Sequence, residues 1–170
     1  MQVTEAIALE HASLLRVFGQ VERVLPRLRS AAEVATLATI VEGLLNTHRE
    51  LEINFAFVAL DHSLHHKKRL TTLYEDHQEL DERLRQVHEA PTCARAGGLL
   101  KAGLGAARAH FHEEERDLFP MLEQALGLGV LAALGEAFQK AARAEVSGAR
   151  ARAPGSLVSS RSRVRKIAPL

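Results

Sequence analysis

Apolar side chains recur at steps of three and four residues along most of this chain. Such steps place side chains on one face of an α-helix, and in the first segment they join Leu14, Phe18 and Val21. The pattern predicts a first helix that ends near residues 26–29. Ser30 has the residue type that caps helices at their N-terminus, so we expect it to begin a second helix.

A polar, histidine-rich stretch at residues 61–68 interrupts this pattern, and two further long helices follow it. The third should end before Pro91, and Thr92 should cap the fourth. Pro120 lacks the backbone N–H of a regular helix, so we expect a kink or a tightened turn there. A shorter fifth helix is predicted over about residues 130–145.

These elements predict one all-α domain over residues 1–146. Long helices joined by short links are typical of an antiparallel up-and-down four-helix bundle, to which we add the short fifth helix and a basic, disordered tail at residues 147–170. The composition agrees with a helical fold, because the 46% of apolar residues are mostly Ala, Leu and Val, with six Phe, one Tyr and no Trp.

Composition also indicates where the protein works. The single cysteine, Cys93, excludes an internal disulfide and is typical of a reducing compartment. The first residues carry no basic start of the kind found in signal peptides, and no run approaches the roughly 20 apolar residues of a membrane span. The sequence therefore predicts a cytoplasmic protein without a membrane partner.

Four of the nine histidines fall on the apolar stripes, one on each long helix. They are His11, His48, His77 and His110. Counted from the end that holds the first–second and third–fourth connections, each lies 14 to 18 residues along its helix, which is roughly 21–27 Å. One such histidine is ordinarily a hydrogen-bonded core residue, but four in one layer indicate a shared binding site.

Two glutamates accompany this layer. Glu52 follows His48 by four residues and Glu114 follows His110 by four, a step that keeps both side chains on one helix face. Buried carboxylates are costly unless cations compensate them, and mixed imidazole and carboxylate ligands suit iron, manganese or zinc. The sequence therefore predicts two metal ions that the glutamates bridge and the histidines cap.

These residues resemble the hemerythrin-like, or HHE cation-binding, domains over about residues 5–125. The motif set is His11, then His48–Glu52, then His77, then His110–Glu114 with Leu118-Phe119-Pro120 after it. The resemblance implies a four-helix bundle around a non-haem di-iron centre, in which an oxo or hydroxo group and two carboxylates usually bridge the irons. It also implies an open coordination position that takes O2, peroxide or nitric oxide.

The chain departs from the oxygen-carrying members of that family at one ligand. Those proteins use a fifth histidine one turn before the one on the third helix, and this place is Leu73 here. The four-histidine set looks more like the iron–sulfur repair and stress-response members, so reversible O2 storage is not expected. Tyr74, three residues before His77, is a further ligand, a hydrogen-bond donor to bound oxygen, or ordinary core. A five-residue step, as in the oxygen carriers, would select Glu115 instead of Glu114.

The leading hypothesis is a di-iron protein that binds or reacts with O2, peroxide or nitric oxide, in oxidative or nitrosative stress or in gas and iron handling. One alternative is a catalase-like or iron–sulfur-cluster-repair enzyme on the same site, so that both turnover and simple binding fit. Another is a zinc-binding or metal-free interaction bundle. The apolar wall that controls access to the site is expected to comprise Leu14, Phe18, Leu73 and Phe111.

The remaining histidines are assigned outside the metal site. His112 should face solvent, because it is about 200° round the helix from His110, and His88 lies roughly 16 Å along its helix from the site. The polar connection holds the other three, His62, His65 and His66. They form a solvated turn or else gather incoming iron and shuttle protons.

The C-terminal tail is basic on an otherwise acidic chain. From Val146 onward there are six basic residues and no acid, whereas the rest has 16 basic and 21 acidic residues. A disordered solvated end is expected, and a nucleic-acid partner is not. The step Gly155-Ser156-Leu157 resembles the cargo peptides by which some hemerythrin-like proteins enter encapsulin shells. Residues 150–170 are therefore also a candidate docking segment for a protein partner, in an iron-handling cargo role.

Overall fold

The computed structural model describes residues 1–61 and 67–152, which are helical almost throughout. The α-helices are α1 (Val3–Val24), α2 (Ala31–Glu52), α3 (Val58–Asp61), α4 (Lys67–His88), α5 (Cys93–Glu113), α6 (Phe119–Ala125) and α7 (Leu128–Arg152). A 3₁₀ turn (Leu25–Arg27) follows α1, and two π-helical segments, π1 (Ile53–Phe57) and π2 (Glu114–Leu118), follow α2 and α5. The described ranges contain no strand, which confirms the all-α prediction.

Two of the predicted helix starts are confirmed by their capping hydrogen bonds. Ser30 Oγ accepts a hydrogen bond from the backbone N–H of Glu33 at 3.2 Å, and the Glu33 carboxylate accepts one from the Ser30 N–H at 3.0 Å. This reciprocal pair satisfies N–H groups that the first turn of a helix leaves free. Thr92 Oγ1 accepts in the same way from the N–H of Arg95. The capping residues Ser30 and Thr92 therefore define where α2 and α5 begin.

The fourth long helix is disturbed near Pro120, but by widening rather than tightening. The π2 segment (Glu114–Leu118) carries the wider turns, and α6 then begins at Phe119 with Pro120 in its first turn. Of the two alternatives predicted here, a kink or a tightened turn, the tightened turn is not found. A proline in a first turn lacks an N–H that the helix would leave unpaired in any case, so it begins a new helix without loss.

The last helix differs most from its prediction. The predicted short helix over residues 130–145 is instead α7, which has 25 residues. The apolar stripe weakens beyond Ala142, but Ala and Arg have high helix propensity, so the helix continues to Arg152. The final residues, 153–170, and the cluster His62, His65 and His66 lie outside the described ranges.

The apolar core forms two clusters, one on each side of the histidine layer. The first joins α1, α2, α4 and α5 through residues such as Phe18, Val41, Leu84 and Leu104. The second lies at the other end and includes Ile7, Phe57, Leu73, Leu118 and the α7 residues Leu131 and Phe138. Each buried side chain of this size stabilises the fold by about 1.5–3 kcal/mol. The polar layer thus lies between two apolar clusters.

Close helix contacts define the frame around this layer. The helix pairs α4–α5, α2–α5 and α2–α4 pack together, and α7 packs along α1. Gly103 allows α5 to approach α4 closely, because a Cβ at this position would lie 2.8 Å from Leu84 Cδ2. None of the helices in the described ranges is long and apolar enough to cross a membrane.

Candidate metal centre

The six residues predicted as metal ligands lie together between the two apolar clusters. Along α1, α2 and α4, the histidine falls between the residues of the first cluster and those of the second, and on α5 Phe111 of the first cluster directly follows His110. The exposed fractions are 6% or less for all of them: His11, His48, Glu52, His77, His110 and Glu114. Helix periodicity accounts for this placement, since the same steps that bury the apolar stripe bury the polar residues on it.

One part of the site, named here the α1–α2 group, comprises His11, His48 and Glu114. The Nε2 atoms of His11 and His48 are 3.2 Å apart, and His11 Nε2 lies 3.3 Å from Glu114 Oε2. One ligand atom from each of the three residues lies within 4.8 Å of the others. Three such atoms can hold one metal ion.

The second part, the α4–α5 group, comprises Glu52, His77, His110 and Glu114. His77 Nε2 lies 3.6 Å from Glu52 Oε2 and 3.6 Å from Glu114 Oε1. His110 Nε2 lies 2.6 Å from the same Glu114 Oε1. Their ligand atoms also lie within 4.8 Å of one another. Glu114 belongs to both groups, with one oxygen toward each.

Several of these buried atoms have no hydrogen bond in the described part of the chain. Both carboxylate oxygens of Glu52 and Glu114 are in this state, as are both ring nitrogens of His77 and His110. Leaving such groups unpaired in an apolar interior costs about 1–3 kcal/mol each, and more for charged ones. Cations placed between them would use these lone pairs, and the mixed nitrogen and oxygen donors suit iron, manganese or zinc. The residues therefore fit a pair of metal ions.

The buried residues of the site shift one another's pKa values. Burial and the nearby Glu114 raise the pKa of Glu52. Burial would also raise the pKa of Glu114, but its contacts with His11, His110 and His77 hold that pKa well below the usual value. Burial lowers the pKa of His77, yet Glu114 and Glu52 outweigh it and bring that pKa to about 9. Protons thus balance the carboxylate charge when no cation does.

Carboxylates outside the centre contact the outer nitrogens of some histidines. His11 Nδ1 lies 2.9 Å from Glu115 Oε1, and His48 Nδ1 lies 3.2 Å from Glu10 Oε2. A carboxylate in this position fixes the ring so that Nε2 is the atom presented to a metal. It also orients the ring and makes Nε2 a better donor.

Sequence reasoning missed Glu10 and a second acidic residue, Asp76. Each directly precedes a histidine of the site, Glu10 before His11 and Asp76 before His77, yet each approaches a histidine on another helix. Glu10 contacts His48, and Asp76 Oδ2 lies 4.0 Å from Nδ1 of His110. The acid–histidine dipeptide alone does not show which helix the acid will face.

Glu115 and Tyr74, which were considered as alternative or further ligands, lie in different surroundings. Glu115 has a side chain that is 42% exposed, and it contacts the outer nitrogen of His11 rather than either ligand group. The Tyr74 ring is 39% exposed and meets the ring of Phe57 edge-on at 4.9 Å. Phe57 in turn stacks on His77 with ring centroids 5.8 Å apart. Glu114, the first residue of π2, is therefore the carboxylate that both groups share.

The four residues proposed as an access wall do not all line one space. Leu14, Phe18 and Phe111 belong to the first apolar cluster, whereas Leu73 belongs to the second. Phe111 stacks on His11 at 4.2 Å between ring centroids. It also lines a small cavity of about 10 Å³, whose walls sequence reasoning did not identify; they are Leu45, His48, Arg49, His77, Leu80, Asp81, His110 and Phe111.

The remaining histidines in the described ranges lie outside the centre. His112 is exposed, as predicted from its angle to His110. His88, the last residue of α4, has its Nε2 3.0 Å from Glu42 on α2. Both positions agree with the expectation that these two histidines do not join the site.

A helical domain that buries a cluster of histidines and glutamates is typical of a metal-binding helical bundle. The family model of the hemerythrin HHE cation-binding domain matches residues 2–122. This match covers well over half of the chain, and the protein therefore belongs to the hemerythrin HHE cation-binding family. A search of curated proteins and a search of solved structures gave no match.

Proposed function

We propose that this protein holds a non-haem di-iron centre and binds or reacts with O2, peroxide or nitric oxide, in the cytoplasm, during oxidative or nitrosative stress. The observation that carries the proposal is Glu114, whose two oxygens face two ligand groups. A carboxylate shared in this way suits two cations a few ångströms apart. Membership of a cation-binding family supports the same conclusion.

The six buried residues would divide the work of holding the irons. His11 and His48 would hold one ion and His77 and His110 the other, and the carboxylates of Glu114 and Glu52 would complete the ligand set and offset the charge of the ions. The two irons would supply electron transfer to a small bound molecule. The helices that carry the ligands are proposed to run alternately up and down, which brings all four histidines to one height.

The size of the described space beside the centre supports a small ligand. The cavity at His48, His77 and His110 has about 10 Å³, which is near the minimum volume for one water molecule. Leu45, Leu80 and Phe111 make its wall largely apolar. A diatomic molecule or peroxide is compatible with such a space.

The test is the spectral response of the iron-loaded protein to each small molecule. The protein is reconstituted with ferrous ion without air, and its visible spectrum is followed on adding nitric oxide, hydrogen peroxide or O2. New charge-transfer bands, absent from the His48→Ala and His110→Ala variants, are expected with at least one of them. Sustained O2 release from peroxide would identify a catalase-like enzyme. A loaded protein that responds to none of the three would overturn the proposal.

A further inference from the structure

The chain contains one tyrosine and no tryptophan. Phenol and indole rings are the aromatic side chains that lose an electron most readily, so this protein has a single ring of that kind. It belongs to Tyr74 on α4, three residues before His77. The residue is 39% exposed, so molecules in solution can touch it without entering the bundle.

Two ring contacts join Tyr74 to a histidine of the metal centre. The Tyr74 ring meets the Phe57 ring edge-on, with centroids 4.9 Å apart, a geometry that aromatic pairs favour. Phe57 is fully buried and stacks on His77, with centroids 5.8 Å apart and planes 15° apart. Because electron transfer weakens steeply with distance across gaps and less through packed atoms, these contacts form a short path from the surface to the centre.

The π1 segment places Phe57 in this path. The backbone N–H of Val58 donates to the carbonyl of Ile53, five residues back, which is the wide turn of a π-helix. The segment begins directly after Glu52, and its wider turn brings Phe57 back toward the helix face that carries Glu52. Single π-turns of this kind are frequent at functional sites.

The aromatic rings on the other side of the centre lead to no such group. Phe111 stacks on His11, and Phe18 lies beside Phe111 with centroids 6.1 Å apart. This row ends at the guanidinium of Arg108, which lies over the Phe18 ring. The thiol of Cys93, which is also oxidisable, is at the start of α5, 17 residues before the histidine of that helix, or about 25 Å along it.

We propose that Tyr74 is an electron relay: during peroxide reduction at the metal centre it gives up an electron through Phe57 and recovers it from a phenolic one-electron donor in solution. This inference rests on the proposed function and adds an electron path and a class of second substrate. Phe57 is a positioning residue, because it acts only by linking Tyr74 to His77.

Electrons and protons balance in this reaction. Once both irons are ferric, the two electrons that break the O–O bond of hydrogen peroxide must come from the protein or from a donor beyond it. Tyr74 supplies one electron, and its O–H proton passes to solvent. A phenol in solution then returns one hydrogen atom to the Tyr74 oxygen, and a second round supplies the other electron. Two protons from solvent complete two water molecules, so each peroxide consumes two phenols.

The experiment treats the iron-loaded protein, freed of loosely bound metal, with excess hydrogen peroxide and no donor. Electron paramagnetic resonance of samples frozen at once should show a tyrosyl radical in the wild type. Tyr74→Phe keeps the ring and its packing but removes the O–H group, so this variant should lose the signal. A second readout is fluorescent dityrosine, which forms when the phenoxyl radicals of two chains couple, and it should disappear as well.

A matched pair of variants tests the path through Phe57. Phe57→Leu and Phe55→Leu make the same change in π1, but the Phe55 ring contacts Phe138 rather than a ring of the path. Phe57→Leu should lose most of the radical and the dityrosine, whereas Phe55→Leu should keep both. Iron content shows whether each variant still holds the centre. Hydroquinone, added to the wild type with the peroxide, should suppress both signals.

Each outcome decides the inference. A visible spectrum that changes with peroxide without any radical, or an equal radical signal in Tyr74→Phe, would overturn the relay and leave the proposed function standing. An equal signal in the metal-free protein would also overturn it, because the oxidation would then not need the centre. A loaded protein that shows neither a spectral change nor a radical with peroxide overturns the relay, and its responses to nitric oxide and O2 then decide the proposed function.

Discussion

Glu114 Oε1 lies 2.6 Å from Nε2 of His110, one helical turn earlier, and both atoms are buried without a hydrogen-bond partner in the described part of the chain. Two polar atoms in such close approach are stable in an apolar interior when a cation lies beside both. The other oxygen of Glu114 faces His11 at 3.3 Å. A change at Glu114 should therefore affect both metal positions.

Glutamine in place of Glu114 or Glu115 separates their roles. Glu114→Gln keeps the volume but removes the shared charge, so we expect metal affinity to fall by more than about 100-fold at both positions. Glu115→Gln should leave two metal ions bound and weaken the one beside His11 by about tenfold, because Glu115 acts through the outer nitrogen of His11. Isothermal titration with zinc measures both. Similar losses in the two variants would contradict this assignment.

The metal-free protein should be no less stable when Glu52 becomes glutamine. Its carboxylate is fully buried, neither oxygen has a hydrogen-bond partner in the described residues, and burial and Glu114 raise its pKa, so a neutral amide of the same size should cost the metal-free protein no stability. In the wild type, metal at a hundredfold excess over the dissociation constant adds about 2.7 kcal/mol per site, and Glu52→Gln should lose most of this gain.

Urea unfolding with and without metal measures both effects of Glu52→Gln. The matched control is Glu50→Gln, an exposed residue on the same helix, which should keep the full gain from metal. A metal-free Glu52→Gln protein that is more than about 2 kcal/mol less stable than the wild type would show that the carboxylate stabilises the fold without metal.

Metal affinity should rise with pH in the neutral range. The pKa of His77 is raised to about 9 in the metal-free protein, so this imidazole is protonated at pH 7 and must lose its proton before it can bind metal. Protons therefore compete with metal at every pH below about 9, and the affinity should climb from pH 6 to pH 8.

Zinc titrations at several pH values, in buffers of different ionisation enthalpy, count the protons released. His88→Gln serves as the control, because this surface histidine lies outside the centre and should leave the slope unchanged. An affinity that stays flat from pH 6 to pH 8 would contradict the raised pKa of His77.

The capping box at the start of α2 should contribute measurably to stability. Ser30→Ala removes the side-chain oxygen that accepts from the Glu33 N–H, with an expected loss of about 1 kcal/mol. Ser13→Ala is the control, since its hydroxyl donates to the Leu9 carbonyl and accepts from the exposed Arg16, both inside α1, and caps no helix end. It should be neutral or slightly stabilising. Equal losses in thermal unfolding of the two variants would argue against the cap.

The N-terminus should pack tightly against α7 at Gly135. A Cβ there would lie 2.3 Å from the Met1 carbonyl oxygen and 2.7 Å from the carbonyl carbon of Gln2, so Gly135→Ala should destabilise the protein by about 1–3 kcal/mol. Gly19→Ala on α1 has open space around it and should gain up to about 1 kcal/mol. Denaturant unfolding compares them, and a stabilised Gly135→Ala would contradict the close approach.

Much of the site could be predicted because it depends on helix geometry alone. His11 and His48 fall at one height once the helix ends are known, and a four-residue step is enough to place Glu52 beside His48. Ser30 and Thr92 supplied those ends through a local capping preference. The ends of the long helices, and the face that each of them buries, could therefore be predicted from local sequence alone.

What could not be predicted depends on contacts between helices. Glu10 and Asp76 each approach a histidine on a different helix from their own, and no spacing within one helix reveals such a contact. The π2 segment after Glu113 and the extension of α7 past Glu145 were not predicted either, and the extension follows from the helix propensity of Ala and Arg. The cavity wall at Leu45 and Leu80 again depends on contacts between helices.

The most direct test of the central claim is the iron content of the protein after anaerobic reconstitution with ferrous ion and removal of loosely bound metal. About two iron ions per chain are predicted, since each of the two ligand groups can hold one. The Glu114→Gln variant should hold fewer than one. A wild-type protein that retains one iron or none would contradict the two-metal centre.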